Sequence, residues 1–114
     1  MRLREITRLL NAQVITGNDL LDYEVLSACG SDLMSDVMAY VTESVVLLTG
    51  LINQQVIRTA EMMDIKAIVF VRGKEPFESM VQLAKEKEIV LIKTGLSMYN
   101  ACGILYSAGL NNMV

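Results

Sequence analysis

The sequence predicts a single α/β domain built around a mostly parallel sheet. Three apolar segments each run into a glycine and then into a helical pattern, and the glycines are Gly50, Gly73 and Gly95. They follow one another at intervals of 23 and 22 residues, about the length of a compact βα unit. The segments are nearly continuous apolar runs, as expected of strands covered on both faces. The repeat therefore predicts parallel neighbouring strands at residues 45–49, 67–71 and 89–92.

The first part of the chain is predicted to contribute two helices and two short strands. Apolar residues at helical spacing predict a first helix over residues 2–11. A short strand at residues 13–16, closed by a Gly-Asn turn, and a second strand at residues 23–28 follow. Ser31 has the side chain of an N-cap and predicts a second helix over residues 32–42.

Each of the three parallel strands is followed by apolar residues at helical spacing, which predicts three more helices. Their buried faces are assigned to Val56, Ile57, Ala60, Met63, Phe77, Met80, Val81, Ala84, Met98, Ala101, Cys102 and Leu105. Asn53 and Ser97 stand where N-caps belong. Pro76 suits the first turn of a helix, and Gly109 is predicted to end the last one. Residues 110–114 are predicted to form a loose tail.

Composition and charge narrow the classes of function. The chain is long enough for one domain with its own core, so residues 1–114 are interpreted as a single domain. No apolar run reaches the roughly 18 residues that cross a bilayer, which predicts a cytoplasmic protein without membrane contact. A net charge of -3 with two Phe and no Trp predicts no nucleic-acid partner. Histidine is absent, so a His-based triad is excluded, and neither a metal nor a cofactor is predicted.

The three glycine turns are expected at one edge of the sheet, because the carboxyl ends of parallel strands face the same side. Helix N-termini with free N–H groups meet there, and basic and hydroxyl side chains flank the glycines. This arrangement favours an anionic ligand such as a nucleotide. The candidate ligand-binding residues are Thr49, Gly50, Asn53, Arg72, Gly73, Lys74, Lys93, Thr94, Gly95 and Ser97. A purely structural role stays open, because no P-loop or GxGxxG motif occurs and tight turns need glycine anyway.

Two further features each have two interpretations. Asp32 and Asp36 are four residues apart on one predicted helix face, where they complement the helix dipole, which we favour, or hold a divalent cation. Cys29 is a small buried residue, which we favour, or a redox-sensitive thiol with a lowered pKa.

Apolar residues that remain after the core is assigned predict a homodimer. Helix faces outside the core stripes carry Met62, Leu83, Tyr99, Ile104 and Tyr106. Methionine and tyrosine are common in interface cores. A hydrophobic fraction of 53% with a mean hydropathy of +0.41 also exceeds the usual apolar share of a soluble domain. Part of that excess is therefore expected in a subunit interface.

Three segments resemble the DRTGG domain family in its short, stand-alone form: GSDLMSDVMAYV, TGLINQQVIRTAEMMDIKAIVFVRGKEP and KTGLSMYNACGILYSAGL. The resemblance covers nearly the whole chain. It implies a three-layer α/β/α fold similar to the N-terminal domain of HPr kinase and of some Mur ligases. Where the motif that names the family should fall, residues 49–54 read TGLINQ and lack its Asp-Arg pair.

The resemblance also implies a regulatory role. Domains of this family occur beside CBS domains in regulated pyrophosphatases and inside phosphate acetyltransferases, where they look like dimerising or ligand-sensing modules. The chain is therefore interpreted as a non-catalytic regulatory or scaffold module that forms a homodimer and senses a phosphorylated or nucleotide ligand, with a partner enzyme as a further candidate. The alternatives are an interaction subunit without a small ligand and, less favoured, a small phosphotransferase. Without histidine, such an enzyme would need Asp32, Asp36 or a lysine as its base.

Overall fold

The computed structural model describes residues 1–112, and within that range five strands form one central sheet. The strands are β1 (Gln13–Thr16), β2 (Ser27–Gly30), β3 (Val45–Thr49), β4 (Ala67–Phe70) and β5 (Val90–Lys93). They lie in the order β1-β5-β4-β3-β2. Strands β2 to β5 run parallel, whereas β1 is antiparallel to β5. The predicted parallel pairing of β3, β4 and β5 is confirmed.

The interior strands β3 and β4 explain the apolar runs in the sequence. Every residue of both strands is buried. Because successive side chains of a strand point to opposite faces, both faces of these strands need an apolar covering layer.

Helices supply that covering on both faces of the sheet. Within residues 1–112 they are α1 (Leu3–Leu9), α2 (Met34–Tyr40), α3 (Gln54–Met62), α4 (Glu78–Glu86) and α5 (Met98–Ser107). Helices α1 and α5 bury Ile6 and Leu105 in one core cluster. Helices α2, α3 and α4 bury Val37, Ile57 and Met80 in the cluster on the other face. The three-layer α/β/α prediction is therefore confirmed. None of the described helices has the length and apolar character that a membrane span needs.

The second strand was predicted too early in the chain. Strand β2 begins at Ser27, where its parallel pairing with Val45 starts, and not at Tyr23. The segment before it pairs with the N-terminus instead, because the Leu3 amide donates to the Tyr23 carbonyl at 3.0 Å and the Val25 amide donates to the Met1 carbonyl at 2.8 Å. Its backbone hydrogen bonds are thus satisfied outside the sheet.

Helix α2 is shorter than its predicted range of residues 32–42. Leu33, and not Ser31, occupies the N-cap position. The Ser31 hydroxyl accepts a hydrogen bond from the Leu33 amide at 3.0 Å, a local turn that competes with helical hydrogen bonding. Pro76 also lies outside its helix, because Phe77 is extended, with ψ 154°, and α4 begins after it.

The other predicted helix ends agree better with the structure. Ser97 caps α5 by accepting the Asn100 amide at 3.1 Å, as predicted. Asn53 occupies the N-cap position of α3, but its side chain makes no capping hydrogen bond. Gly109 lies just after α5 with φ +112°, the left-handed conformation that ends helices.

Two predictions about burial are wrong. Phe77 was assigned to a core face but is 62% exposed, because it precedes α4 in an extended conformation. The predicted loose tail is attached to the fold as far as it is described: Leu110 is buried, and the Asn112 side-chain amide donates to the Leu26 carbonyl at 2.7 Å. The prediction for residues 113 and 114 lies outside the described residues.

Candidate functional site

The carboxyl ends of β3, β4 and β5 meet at one edge of the sheet, because the three strands are parallel neighbours. The turns at Gly50, Gly73 and Gly95 all leave the sheet at this edge, as predicted. Basic and hydroxyl side chains therefore gather here, but their hydrogen bonds differ from turn to turn.

The turn after β3 contains the densest cluster of polar groups. The Gly50 amide donates to Oδ1 of Asp32 at 2.7 Å, and the Thr49 hydroxyl donates to the same oxygen at 3.1 Å. Nη2 of Arg72 lies 3.7 Å from Oδ2 of Asp32. We call the Gly50 amide, the Thr49 hydroxyl and the Arg72 guanidinium the anion cradle. These three predicted ligand groups converge, and in the structure the anion that they surround is a carboxylate of the protein itself.

The backbone explains why these residues can converge. Thr49 is fully buried, and its Oγ1 also accepts the Leu51 amide at 3.1 Å, which closes the turn. A Cβ at Gly50 would collide with Nη2 of Arg72, so glycine allows the guanidinium to approach the turn. Arg72 itself has φ +57°, a left-handed conformation that is uncommon outside glycine.

In the turns after β4 and β5, several polar groups form hydrogen bonds with other parts of the protein. The Arg72 and Gly73 amides donate to the Leu96 and Thr94 carbonyls at 2.7 and 2.8 Å, which joins the turn after β4 to the turn after β5. The Thr94 side chain is buried, and its hydroxyl donates to the Leu10 carbonyl at 2.8 Å.

Charge pairing distinguishes the remaining basic candidates. Nζ of Lys93 lies 2.6 Å from Oε1 of Glu75, so that its charge is already compensated. Lys74 is exposed and forms no ion pair within residues 1–112. Asn53 and Gly95 are exposed, while the Ser97 hydroxyl is engaged in its capping bond.

Asp32 was not predicted as part of this cluster. Placing β2 at residues 23–28 left Asp32 several residues past the strand, inside the predicted helix. With β2 at Ser27–Gly30, Asp32 follows a parallel strand directly and lies at the same edge as Gly50. Its carboxylate binds the neighbouring turn, while Asp36 lies in the first turn of α2, where a negative charge complements the helix dipole. Within residues 1–112, no group of three His, Cys, Asp or Glu side chains is placed to hold a metal ion.

The two cysteines carry raised pKa values. Burial raises the pKa of the Cys29 thiol, and the nearby Cys102 and Asp36 raise it further. Burial also raises the pKa of Cys102. The alternative of a lowered pKa at Cys29 is therefore wrong, and both thiols are predominantly protonated at neutral pH. Both are half-buried, and Cys102 packs against the cluster under α1 and α5.

The outer side of α5 carries an apolar surface. Tyr99 and Tyr106 are 87% and 64% exposed, and an open groove of about 650 Å³ runs along the helix. The groove is lined by Leu96, Tyr99, Asn100, Gly103, Ile104, Ser107 and Ala108. Met62 is also exposed, as predicted. Leu83 and Ile104 were predicted to remain outside the core, but both pack partly against it.

Comparison with known proteins supports the fold. No protein-family model matches the chain, and no curated protein matches it. A solved structure matches with a TM-score of 0.75 and 14% identity over 91% of this chain: the CBS and DRTGG domains of the regulatory region of Clostridium perfringens pyrophosphatase, complexed with its activator diadenosine tetraphosphate. The chain spans 45% of the length of that structure. It has a DRTGG-like fold.

Proposed function

We propose that the chain is a non-catalytic regulatory module that binds a phosphorylated ligand, of the nucleotide class, at the anion cradle. The observation that carries the proposal is the convergence of the Gly50 amide, the Thr49 hydroxyl and the Arg72 guanidinium on one anionic group. Backbone amides and arginine are the groups that bind phosphate oxygens in proteins. The activator of the C. perfringens regulatory region, diadenosine tetraphosphate, belongs to the same ligand class.

A regulatory role is favoured over a phosphotransferase because the cradle supplies binding groups but no evident base. The sequence contains no histidine. The carboxylate at the cradle, Asp32, accepts hydrogen bonds from the Gly50 amide and the Thr49 hydroxyl through Oδ1, so this oxygen is already engaged by the protein itself. General-base catalysis needs a group within hydrogen-bonding reach of the proton it removes.

Replacing Arg72 with Ala should weaken anion binding about tenfold or more, because hydrogen bonds to charged groups contribute about 1.5–3 kcal/mol. Inorganic pyrophosphate, AMP and diadenosine tetraphosphate serve as probes in isothermal titration calorimetry and thermal-shift assays. A ligand that binds the folded state raises its melting temperature. Alanine must adopt the same φ of +57° as arginine, so the substitution adds little backbone strain.

Arg4→Ala is the matched control. Arg4 is an exposed arginine on α1, paired with Asp22 at 3.2 Å, and its amide donates to the Leu21 carbonyl at 2.9 Å. The variant loses the same charge and should retain its affinity within about twofold, since exposed pairs contribute little. Equal affinities of Arg72→Ala and the parent chain, or no binding of any probe at millimolar concentration, would contradict the anion site.

We also propose that the module is a homodimer in which α5 forms the contact. From Thr94 to the end of the chain the sequence contains no charged residue, and charged residues are depleted in interface cores. The exposed Tyr99 lines a groove whose small residues Gly103 and Ala108 leave room for a partner side chain, and Tyr106 is exposed on the same helix. An interaction subunit without a ligand is the alternative, favoured by the same surface, and it would dimerise while failing the binding test above.

Light scattering on a sizing column should report twice the chain mass of 12.6 kDa. Tyr99→Lys should shift the protein toward the monomer, because a partner in a two-fold contact would bury two new charges. Tyr40→Lys is the control, since Tyr40 is 69% exposed on α2. A parent chain that stays monomeric at high micromolar concentration would refute the dimer, and a Tyr99→Lys variant that stays dimeric would exclude α5 as the interface.

A further inference from the structure

Asp32 lies where a bound anion would lie. Its Oδ1 accepts the Gly50 amide at 2.7 Å and the Thr49 hydroxyl at 3.1 Å, and both donors belong to the turn after β3. The carboxylate comes from a different segment, the connection between β2 and α2, 18 residues earlier than Gly50. A tethered side chain therefore fills the anion cradle from outside its own turn.

The carboxylate fills the cradle only in part. Its Oδ2 is 3.7 Å from Nη2 of Arg72, beyond the range of a hydrogen bond. Within residues 1–112, the Arg72 side chain donates no hydrogen bond that would occupy its fork of N–H groups. The side chains of Asp32 and Arg72 are each 50% exposed. Solvent, and any anion dissolved in it, therefore has access to both.

We propose that Asp32 is a tethered competitor, an autoinhibitory carboxylate that a phosphoryl group of the ligand must displace from the anion cradle. This inference rests on the anion site proposed above. It adds a chemical selectivity: the site discriminates in favour of phosphoryl dianions and against carboxylates.

The selectivity follows from charge and geometry. A carboxylate ligand would replace the Asp32 carboxylate by a group of the same charge. Because Asp32 is tethered, it has a high effective concentration at the cradle and wins this competition. A phosphoryl group carries up to two charges and three acceptor oxygens. It can accept from the Gly50 amide and the Thr49 hydroxyl while also reaching the guanidinium donors of Arg72, which Asp32 leaves unused. Replacing the Asp32 carboxylate by a phosphoryl group therefore adds interactions, whereas replacing it by another carboxylate does not.

Displacement would also couple the site to the rest of the fold. The hydrogen bonds of Asp32 tie the connection before α2 to the turn before α3. Once they are replaced, the connection before α2 loses its side-chain hydrogen bonds to that turn and keeps the backbone bond from the Ser31 amide to the Leu48 carbonyl at 3.0 Å. Ligand occupancy would thus loosen the link between the connection before α2 and the turn before α3, a change that a regulatory module can use for its output.

Asp32→Asn tests the inference directly. The substituted side chain has the same size and still offers an acceptor oxygen to Gly50 and Thr49, so the fold is retained. Its neutral amide competes with the ligand for the anion cradle less well than a carboxylate does. The affinity for inorganic pyrophosphate, measured by calorimetry, should rise about tenfold. Asp32→Ala, which vacates the cradle, should show a rise in the same direction, and circular dichroism reports whether each variant is folded.

Asp36→Asn separates competition from a general change in charge. Asp36 is exposed on α2, four residues further along the chain, and its substitution removes the same charge. Its effect on pyrophosphate affinity should stay below about twofold because exposed charges are screened by salt. Acetate at the same concentrations should bind neither the parent chain nor Asp36→Asn measurably.

The outcomes distinguish this inference from the proposed function. A higher affinity of Asp32→Asn for pyrophosphate, with an unchanged affinity of Asp36→Asn, supports the tethered competitor. Pyrophosphate binding that depends on Arg72 but is equal or weaker in Asp32→Asn overturns the competitor and leaves the anion site standing. Equal gains in Asp32→Asn and Asp36→Asn also overturn it, because the effect is then one of net charge. If no variant binds pyrophosphate, the anion site and the inference fail together.

Discussion

Phe70→Ala is expected to cost about 3–5 kcal/mol of the free energy of unfolding, as large-to-small substitutions of buried phenylalanine do. Phe70 is fully buried in β4, the middle strand of the sheet, and packs in the cluster covered by α2, α3 and α4. Truncation removes apolar contact area and leaves a cavity between the sheet and these helices. A domain of this size has a total stability of roughly 5–15 kcal/mol, so the variant should be close to unfolding.

Urea denaturation followed by circular dichroism measures this loss. Phe77→Ala makes the same chemical change at a residue that is 62% exposed, and its effect should stay within about 0.5 kcal/mol. The pair also tests the correction made above, because the sequence pattern placed Phe77 on a core face. A loss in Phe70→Ala as small as that expected for Phe77→Ala would contradict the burial of Phe70, and a large loss in both variants would contradict the exposure of Phe77.

The elements predicted well are those whose hydrogen bonds and burial are decided locally. Strands β3 and β4 were located to within a residue because an apolar run with a glycine behind it leaves few alternatives. Ser97 was recognised as an N-cap because the capping bond joins residues three apart. Prediction failed where one contact with a distant segment, and no repeated pattern, decides the local structure. Residues 23–25 are extended because they pair with Met1 and Leu3, a contact that no local pattern reveals.

The same distinction explains the candidate site. The pattern of the sequence placed Thr49, Gly50 and Arg72 at one edge, because parallel topology brings the turns together. It did not show that Thr94 is engaged with the Leu10 carbonyl or that Lys93 is paired with Glu75, since these contacts span 84 and 18 residues. The role of Asp32 was missed for a related reason. Its part in the cluster depends on the end of β2, the strand with the largest error in position.

Gly17→Ala should lower the free energy of unfolding by an amount on the order of 3 kcal/mol, from two causes that add. Gly17 has φ +96°, a conformation that residues with a Cβ rarely adopt. A Cβ there would also lie 2.8 Å from Cγ2 and 3.0 Å from Cα of Val90. Val90 cannot move away easily, because its backbone is held in β5 opposite Ala67 and its amide donates to the Lys66 carbonyl.

Two other glycines separate these causes. Gly109 has φ +112° but no atom within 4 Å of the added Cβ, so Gly109→Ala should show the strain alone, about 1–3 kcal/mol. Gly95 has neither a positive φ nor a neighbour at that distance. Gly95→Ala should be neutral or stabilise the fold by up to about 1 kcal/mol, because alanine reduces the freedom of the unfolded chain. The expected order of loss is therefore Gly17, Gly109 and Gly95, measured by urea denaturation at one protein concentration. A Gly17 variant as stable as the Gly109 variant would mean that β5 shifts at Val90 to make room for the added Cβ. The close packing of the turn after β1 against Val90 would then not contribute to stability.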